Sequence, residues 1–354
     1  MNTDKALKPG TVVVGGKHPF VIKDVLQADG QGFLYRATAQ VKQANGSVKP
    51  FEIVVREHFM SLCSHRGADG LSVETPEDIL PTVDTCLEAF RNASIERARI
   101  ANQSPIIIDV IDCFAANNTF YYIVEFLDGE TLEEYVEQHG PLSTEEAREI
   151  LAPIYESVRF MHTNRAIHTN IHPGHIRFVT HNGKCVPILF SLYCMIHFDE
   201  HGDSLWSIPM NKCKDGYAPP EQYIAVKHFT PQIDIFALAS LLVFCLSGKH
   251  LPDSRTLTED IIRETLPDTV HPAIVSGLIH ALNPDIEGRT VSVFAFLDEI
   301  KEFYTPPTAQ KSRTDFSEQP SVDFKSSKRN VLDWRWIVGI IGLIAMIVGI
   351  ICIF

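Results

Sequence analysis

The last nineteen residues, Trp336 to Phe354 (WIVGIIGLIAMIVGIICIF), contain no charge and no strongly polar side chain. As a helix rising about 1.5 Å per residue they cover about 28 Å, the hydrocarbon thickness of a bilayer. A buried core helix is the competing reading, but apolarity on every side at a chain terminus favours the membrane. Trp334 and Trp336 suit the interface, and Lys325, Lys328, Arg329 and Arg335 all precede the span with nothing after it. The positive-inside rule then puts everything upstream in the cytoplasm. Gly342, Ala345 and Gly349 leave small residues along the span, the last two at small-xxx-small spacing, so helix pairing there is open. The expectation is a single-pass C-terminal anchor over 336–354 with the lipid bilayer as one partner. Before it, residues 305–335 are rich in Ser, Pro, Lys and Asp and read as a flexible linker.

With residues 1–9 taken as a tail, the globular unit is expected over 10–304. Of all 354 residues 45% are hydrophobic, enough for a sizeable core. Lys and Arg number 31 against 44 Asp and Glu, a formal charge of -13, which argues against nucleic-acid partners. The eight cysteines form no C-x-x-C pair, so free thiols in a reducing compartment are expected. The opening MNTDKALKPG has no apolar run behind its charges and reads as no secretory signal.

Thr11 to Val14, Phe20 to Val25, Phe33 to Thr38 and Phe51 to Val55 are β-branched or aromatic runs separated by turn residues, and are expected as strands. The period then changes. Ser143 and Glu146 make a capping box, followed by Ala147, Ile150, Leu151, Ile154, Val158 and Met161 at helical spacing. Further helices are expected over Asp234 to Leu246 and Val291 to Phe303. The order gives an α+β fold of two lobes, a small β-rich N-lobe of about 10–127 and a larger helical C-lobe of about 128–304, with ligand sites in the cleft between them.

Seven segments resemble those of the protein kinase family, bacterial Ser/Thr kinases in particular, and they occur in the family's order over roughly 280 residues. LKPGTVVVGGKHPFVIKDVLQADGQGFLYRA is similar to the opening strands and Gly-rich loop, IVVREHFMSLCSHR to the third strand, and FYYIVEFLDGETLEEYV to the interlobe hinge. AIHTNIHPGHIRF resembles a catalytic loop, DGYAPPEQY the end of an activation segment, IDIFALASLLVFCLSGKHLP the buried helix behind it, and NPDIEGRT carries the late Arg.

The resemblance implies a two-lobed kinase fold and a residue-by-residue test of its chemistry. Phosphoryl transfer needs a Lys on the phosphates, oxygen ligands for magnesium and an Asp for the substrate proton. Here Gly30 and Gly32 remain in the Gly-rich loop, but Gln27 and Asp29 replace its first two glycines, and Asp29 brings negative charge towards phosphates. Arg56 stands for the strand Lys, a change of shape and reach. Its implied helix partner is Glu96, with a surface Glu as the plain alternative.

In the catalytic loop His168 is retained, while Thr169, Asn170, His172 and His175 stand for the Arg, the catalytic Asp, the loop Lys and the metal-binding Asn. Asn170 cannot accept a proton as a carboxylate does. Phe190, Ser191 and Leu192 replace D-F-G, and a phenylalanine offers no oxygen to a hard cation. Val54 in the adenine roof and Arg177 in its floor disfavour an ATP-shaped cavity. No intact catalytic set, no metal and no cofactor are expected from these positions. The residues whose family role is architectural are kept: Glu221 to pair with Arg289, and Asp234 to hold the catalytic loop.

His162, His168, His172, His175 and His181 crowd one region, but Pro173 and Gly174 break any helix there and no tetrahedral set is completed; solvated loop histidines are the default. The first functional expectation is a membrane-tethered pseudokinase that binds a cytoplasmic protein, such as an active kinase or its substrate. The alternatives are an atypical Ser/Thr kinase using ATP with magnesium, and a sensor that binds nucleotide without metal.

Overall fold

A computed structural model of the protein describes residues 3–42, 48–181, 184–199, 214–224 and 229–304. Chain order gives strands β1 (Val12–Val13), β2 (Phe20–Asp29), β3 (Gly32–Lys42), β4 (Val48–His58), β5 (His65–Arg66) and β6 (Val73–Glu74). Helix α1 (Leu80–Ala101) follows, then β7 (Val110–Ala116) and β8 (Thr119–Glu125). Six of these strands form one antiparallel sheet in the order β1-β2-β3-β4-β8-β7, and α1 packs on β7 and β8. Period-2 alternation explains the sheet: Phe33, Tyr35, Ala37 and Ala39 are buried together on one face of β3 and meet Ile53 and Val55 of β4. Strands expected to stop at Val25, Thr38 and Val55 run on to Asp29, Lys42 and His58, because the long β2–β3–β4 ladder continues into polar residues.

The helical lobe begins with α2 (Leu132–His139) and α3 (Thr144–Thr163), then β9 (Ala166–Ile167), β10 (Ile176–His181), β11 (Lys184–Leu189) and β12 (Ile196–His197). Both α2 and α3 start with reciprocal capping boxes, Thr131 with Glu134 and Ser143 with Glu146. Each box satisfies backbone amides that a helix start leaves without partners. The remaining helices are α4 (Gln232–Ser247), α5 (Glu259–Thr265), α6 (Pro272–Ala281), α7 (Val293–Glu299) and α8 (Lys301–Tyr304).

Every residue from Ile233 to Ser247 of α4 is buried, so it reads as uniformly apolar and is enclosed by α3, α5 and α6. The helix expected over Val291 to Phe303 is two: Ser292 caps α7 by accepting from Ala295 N, and Ile300 ends it before α8. The linker and apolar span expected over 305–335 and 336–354 lie outside the described residues. Among the described residues no helix is long and apolar enough to cross a membrane.

Candidate functional site

The cleft is bounded by the β2–β3 hairpin above, the chain between β8 and α2 at the back, and the loop from His168 to His175 below. The hairpin turns at Gly30 and Gln31, and Asp29 pairs with Gly32 across it. A Cβ on Gly32, whose φ is +151°, would lie 1.9 Å from the Glu57 carbonyl oxygen, whereas one on Gly30 would meet nothing within 4 Å. This fold brings Asp29 over β4. Its Oδ1 accepts from Arg56 Nη2 at 2.7 Å, with the two side chains only 12% and 8% exposed.

Glu96 does not meet Arg56. It lies on the outer side of α1, accepting from Arg99 at 2.8 Å with His197 at 3.9 Å. The inward face of α1 carries Ala93, Ser94, Arg97, Ile100 and Ala101, a spacing of three and four that rotates residue 96 out. Arg97 therefore occupies the inner position. Its Nη2 donates to the carbonyls of Tyr193 (2.8 Å) and Met195 (3.4 Å), and burial pushes its guanidinium below the usual range. The helix thus presents a cation, not a carboxylate, to the cleft side.

At the back, Val54 lies opposite Val124 of β8. Arg177, on β10, donates to the carbonyls of Leu127 (3.3 Å) and Gly129 (3.0 Å), and its guanidinium lies 5.6 Å from the centroid of the Phe190 ring. One side chain from the cleft floor is thereby bonded to the interlobe connection.

The loop below is held by a buried carboxylate. Asp234 accepts from the backbone amides of His168 and Thr169, each at 2.8 Å, and from His162 Nε2 at 2.9 Å. Thr169 takes a left-handed φ of 65° and donates its hydroxyl to the Cys194 carbonyl, while Gln222 donates to the Thr169 carbonyl. His168 donates from Nε2 to the Phe190 carbonyl and accepts the Asn170 amide on Nδ1; burial lowers its pKa.

His175 donates from Nδ1 to the Asn170 carbonyl at 2.9 Å and lies 5.4 Å, centroid to centroid, from Phe190. The His172 and His175 ring centroids lie 3.7 Å apart with the planes tilted by 37°, and burial, reinforced by His175 and Lys214, drives the His172 imidazole far below the ordinary value. A neutral His172 cannot supply the charge of a loop lysine. Nor is His168 a solvated loop group, as the sequence suggested: it is wholly buried, while His162, His172 and His175 are half-buried.

Behind the activation-segment region, Arg289 is fully buried and donates to both oxygens of Glu221, at 2.6 and 3.1 Å. Two further charged sites carry no signal in the sequence. Glu57, fully buried, receives both Nη atoms of Arg66 and the hydroxyls of Tyr35 (2.7 Å) and Tyr121 (3.2 Å). Near the loop, Glu133 meets Lys214 and His250, and His250 Nδ1 bonds the Tyr217 hydroxyl at 2.7 Å. Both are built from residues distant in sequence, which is why no motif marks them.

The protein kinase domain profile matches residues 90–279, more than half of the chain. The chain belongs to the protein kinase family. Serine/threonine-protein kinase F of Synechocystis sp. is 27% identical over 186 residues, covering 48% of this chain and 36% of the relative. The probable serine/threonine-protein kinase PknB of Lactococcus lactis is 24% identical over 255 residues, covering 71% of this chain and 38% of the relative. The chain thus spans between 36% and 38% of the length of these two kinases. The solved kinase-fold structure "PpkA-294 apo form" superposes with a TM-score of 0.55 at 21% identity, covering 84% of this chain and all of that one. That likeness carries the two-lobed fold.

Proposed function

We propose that this kinase-family domain is a pseudokinase, a binding or scaffolding module rather than a phosphotransferase. The observation that carries the reading is the Asp29–Arg56 pair, in which the cation at the phosphate position is already neutralised by the chain's own hairpin. A nucleotide phosphate would have to displace a carboxylate that is only 12% exposed and already bonded to the cation.

The donor set does not fit a magnesium–nucleotide complex. Magnesium takes oxygen ligands in octahedral geometry. The two protein positions that would supply them are His175, bonded to the Asn170 carbonyl, and Phe190, which has no side-chain oxygen. Arg177, bonded to Leu127 and Gly129, crowds the adenine side as well. No cofactor, no metal and no step through either enters this reading.

The partner in this proposal is a cytoplasmic protein, an active kinase or a kinase substrate, docked on the kinase-like surface. The apolar run 336–354 anchors the module in a membrane and raises the local concentration of such partners. The test uses the full chain: thermal shifts with ATP, with and without magnesium or manganese, beside a radiolabelled phosphate-transfer assay. No shift and no transfer are expected. A metal-dependent shift with transfer overturns the proposal in favour of a Ser/Thr kinase, and a shift without metal and without transfer replaces it with a nucleotide sensor.

A further inference from the structure

Three side chains able to ligate a metal meet in the helical lobe, and none of them stands at a position that the kinase resemblance gives to magnesium. Glu133 and Glu137 are four residues apart on α2 and so share one face of it. His250, just beyond the end of α4, comes alongside them. One donor atom from each lies within 4.8 Å of the other two, and His250 Nε2 is 3.3 Å from Glu133 Oε1. All three groups are open to solvent: Glu137 is exposed, and the side chains of Glu133 and His250 are 23% and 38% exposed.

The imidazole is fixed from behind. Its ring stacks on Phe244 with centroids 4.5 Å apart and planes 16° from parallel, and its Nδ1 bonds the Tyr217 hydroxyl at 2.7 Å. Tyr217 is buried, and burial raises its pKa, so this partner stays a neutral phenol. Histidines that bind metals engage their second nitrogen in this way, which sets the ring and leaves the first nitrogen for the ion. Tetrahedral donors about 2.1 Å from an ion lie about 3.4 Å from one another. The Glu133–His250 separation already matches that spacing, and the exposed Glu137 side chain can close the rest by rotating. Glu133 also accepts from Lys214, an ammonium drawn to the same carboxylate that a metal ion would take.

We propose that Glu133, Glu137 and His250 form a site for a divalent transition metal of the zinc class, with water completing a four-coordinate shell. An imidazole beside two carboxylates favours such an ion over magnesium or calcium, which take oxygen donors alone. The site is independent of the pseudokinase reading, since it uses none of Asn170, His175 or Phe190. Its occupation has a consequence for the neighbouring chain. An ion on Glu133 displaces Lys214, and Lys214 lies on the stretch that continues through Tyr217 to Glu221, the partner of Arg289. Metal binding therefore exchanges one tie between α2 and this stretch, the Lys214 ion pair, for another that runs through His250 and Tyr217.

The test titrates zinc chloride into the full chain at about pH 7.5, where an unperturbed imidazole is mostly neutral. Isothermal titration against a competing chelator reads affinity, thermal melting reads folding, and magnesium is the control ion. Saturable zinc binding is expected, with magnesium at least about 100-fold weaker. His250→Gln removes the imidazole and is expected to weaken zinc at least about tenfold. Glu137→Gln changes an exposed carboxylate, so it should melt like the parent without zinc and still weaken zinc at least about tenfold, which keeps the test open should His250→Gln melt early. Lys214→Met removes the competing ammonium and is expected to strengthen zinc binding, an effect that a purely structural lysine would not produce. The proposal is overturned if zinc does not bind saturably, if magnesium binds as tightly, if Lys214→Met leaves the affinity unchanged or lowers it, or if Glu137→Gln and His250→Gln bind zinc like the parent, which would mark adventitious binding by the chain's other histidines and cysteines.

Discussion

The two lobes treat buried charge differently. In the helical lobe, Arg289 and Glu221 form a two-pronged pair, and Asp234 collects two backbone amides and His162, joining loop, helix and activation-segment end. Along the cleft, the same kinds of group are paired with one another: Asp29 closes on Arg56, Arg177 on the interlobe carbonyls, and His175 on Asn170. The first set fastens the helical lobe's own elements to one another, and the second lies at the positions that the kinase resemblance gives to the phosphate, adenine and metal contacts. On the proposed pseudokinase reading, residues that hold the architecture and residues that would perform chemistry have met different demands in one molecule.

The largest test of this contrast is Arg289→Ala. It leaves Glu221 without its buried partner and is expected to lower unfolding free energy by about 3–5 kcal/mol in urea titrations. A loss under about 1 kcal/mol, the value of an exposed pair, would break the comparison.

Next comes acid. The folded His58 titrates at about 4 against 6.5 for an unperturbed imidazole, so below 6.5 the unfolded chain takes up a proton that the folded chain refuses. Stability is therefore fully present above that window and lost as pH falls through it, by about 3 kcal/mol from this residue. His168 and His172, both depressed by burial, push in the same direction. Denaturation midpoints measured through this range should fall with pH, and His58→Phe should flatten part of the slope.

Asp29→Ala is smaller. Its loss frees Arg56 at the open end of a hairpin, where water reaches more easily than at Arg289, and a cost of about 1–3 kcal/mol is expected. The same variant should bind inorganic phosphate more tightly than the parent, which isothermal titration would register. The smallest effect is Arg263→Ala on α5, whose partner Glu259 is one turn away with both side chains more than half exposed. It should cost only about 0.3–0.5 kcal/mol by the same urea titration.

Much of the helical lobe was readable in the chain because its determinants are local or periodic. Ser143 with Glu146 marks a helix start, and the unbroken apolar run of α4 marks a buried helix. Asp234 and Arg289 were readable from their places in the motif order. The cleft was less so. That Arg56 should meet Asp29 depends on how a hairpin folds over a strand 27 residues on, which no spacing rule encodes. Arg97 is an intermediate case: periodicity along α1 turns it inward, but residue type suggested the neighbouring Glu96, and geometry prevailed over chemistry. The Glu57 network was hidden because its members, Tyr35, Arg66 and Tyr121, come from three separate strands.

The two glycines kept in the β2–β3 hairpin have unequal meanings. Gly32 sits against a backbone carbonyl that no other residue could approach, so any descendant of this sequence must retain it whether or not nucleotides matter to it. Gly30 faces open space and is free to drift. A surviving fragment of a phosphate-loop signature can therefore be a fossil of hairpin packing, and comparing tolerance at positions 30 and 32 in a substitution library would separate ancestry from use.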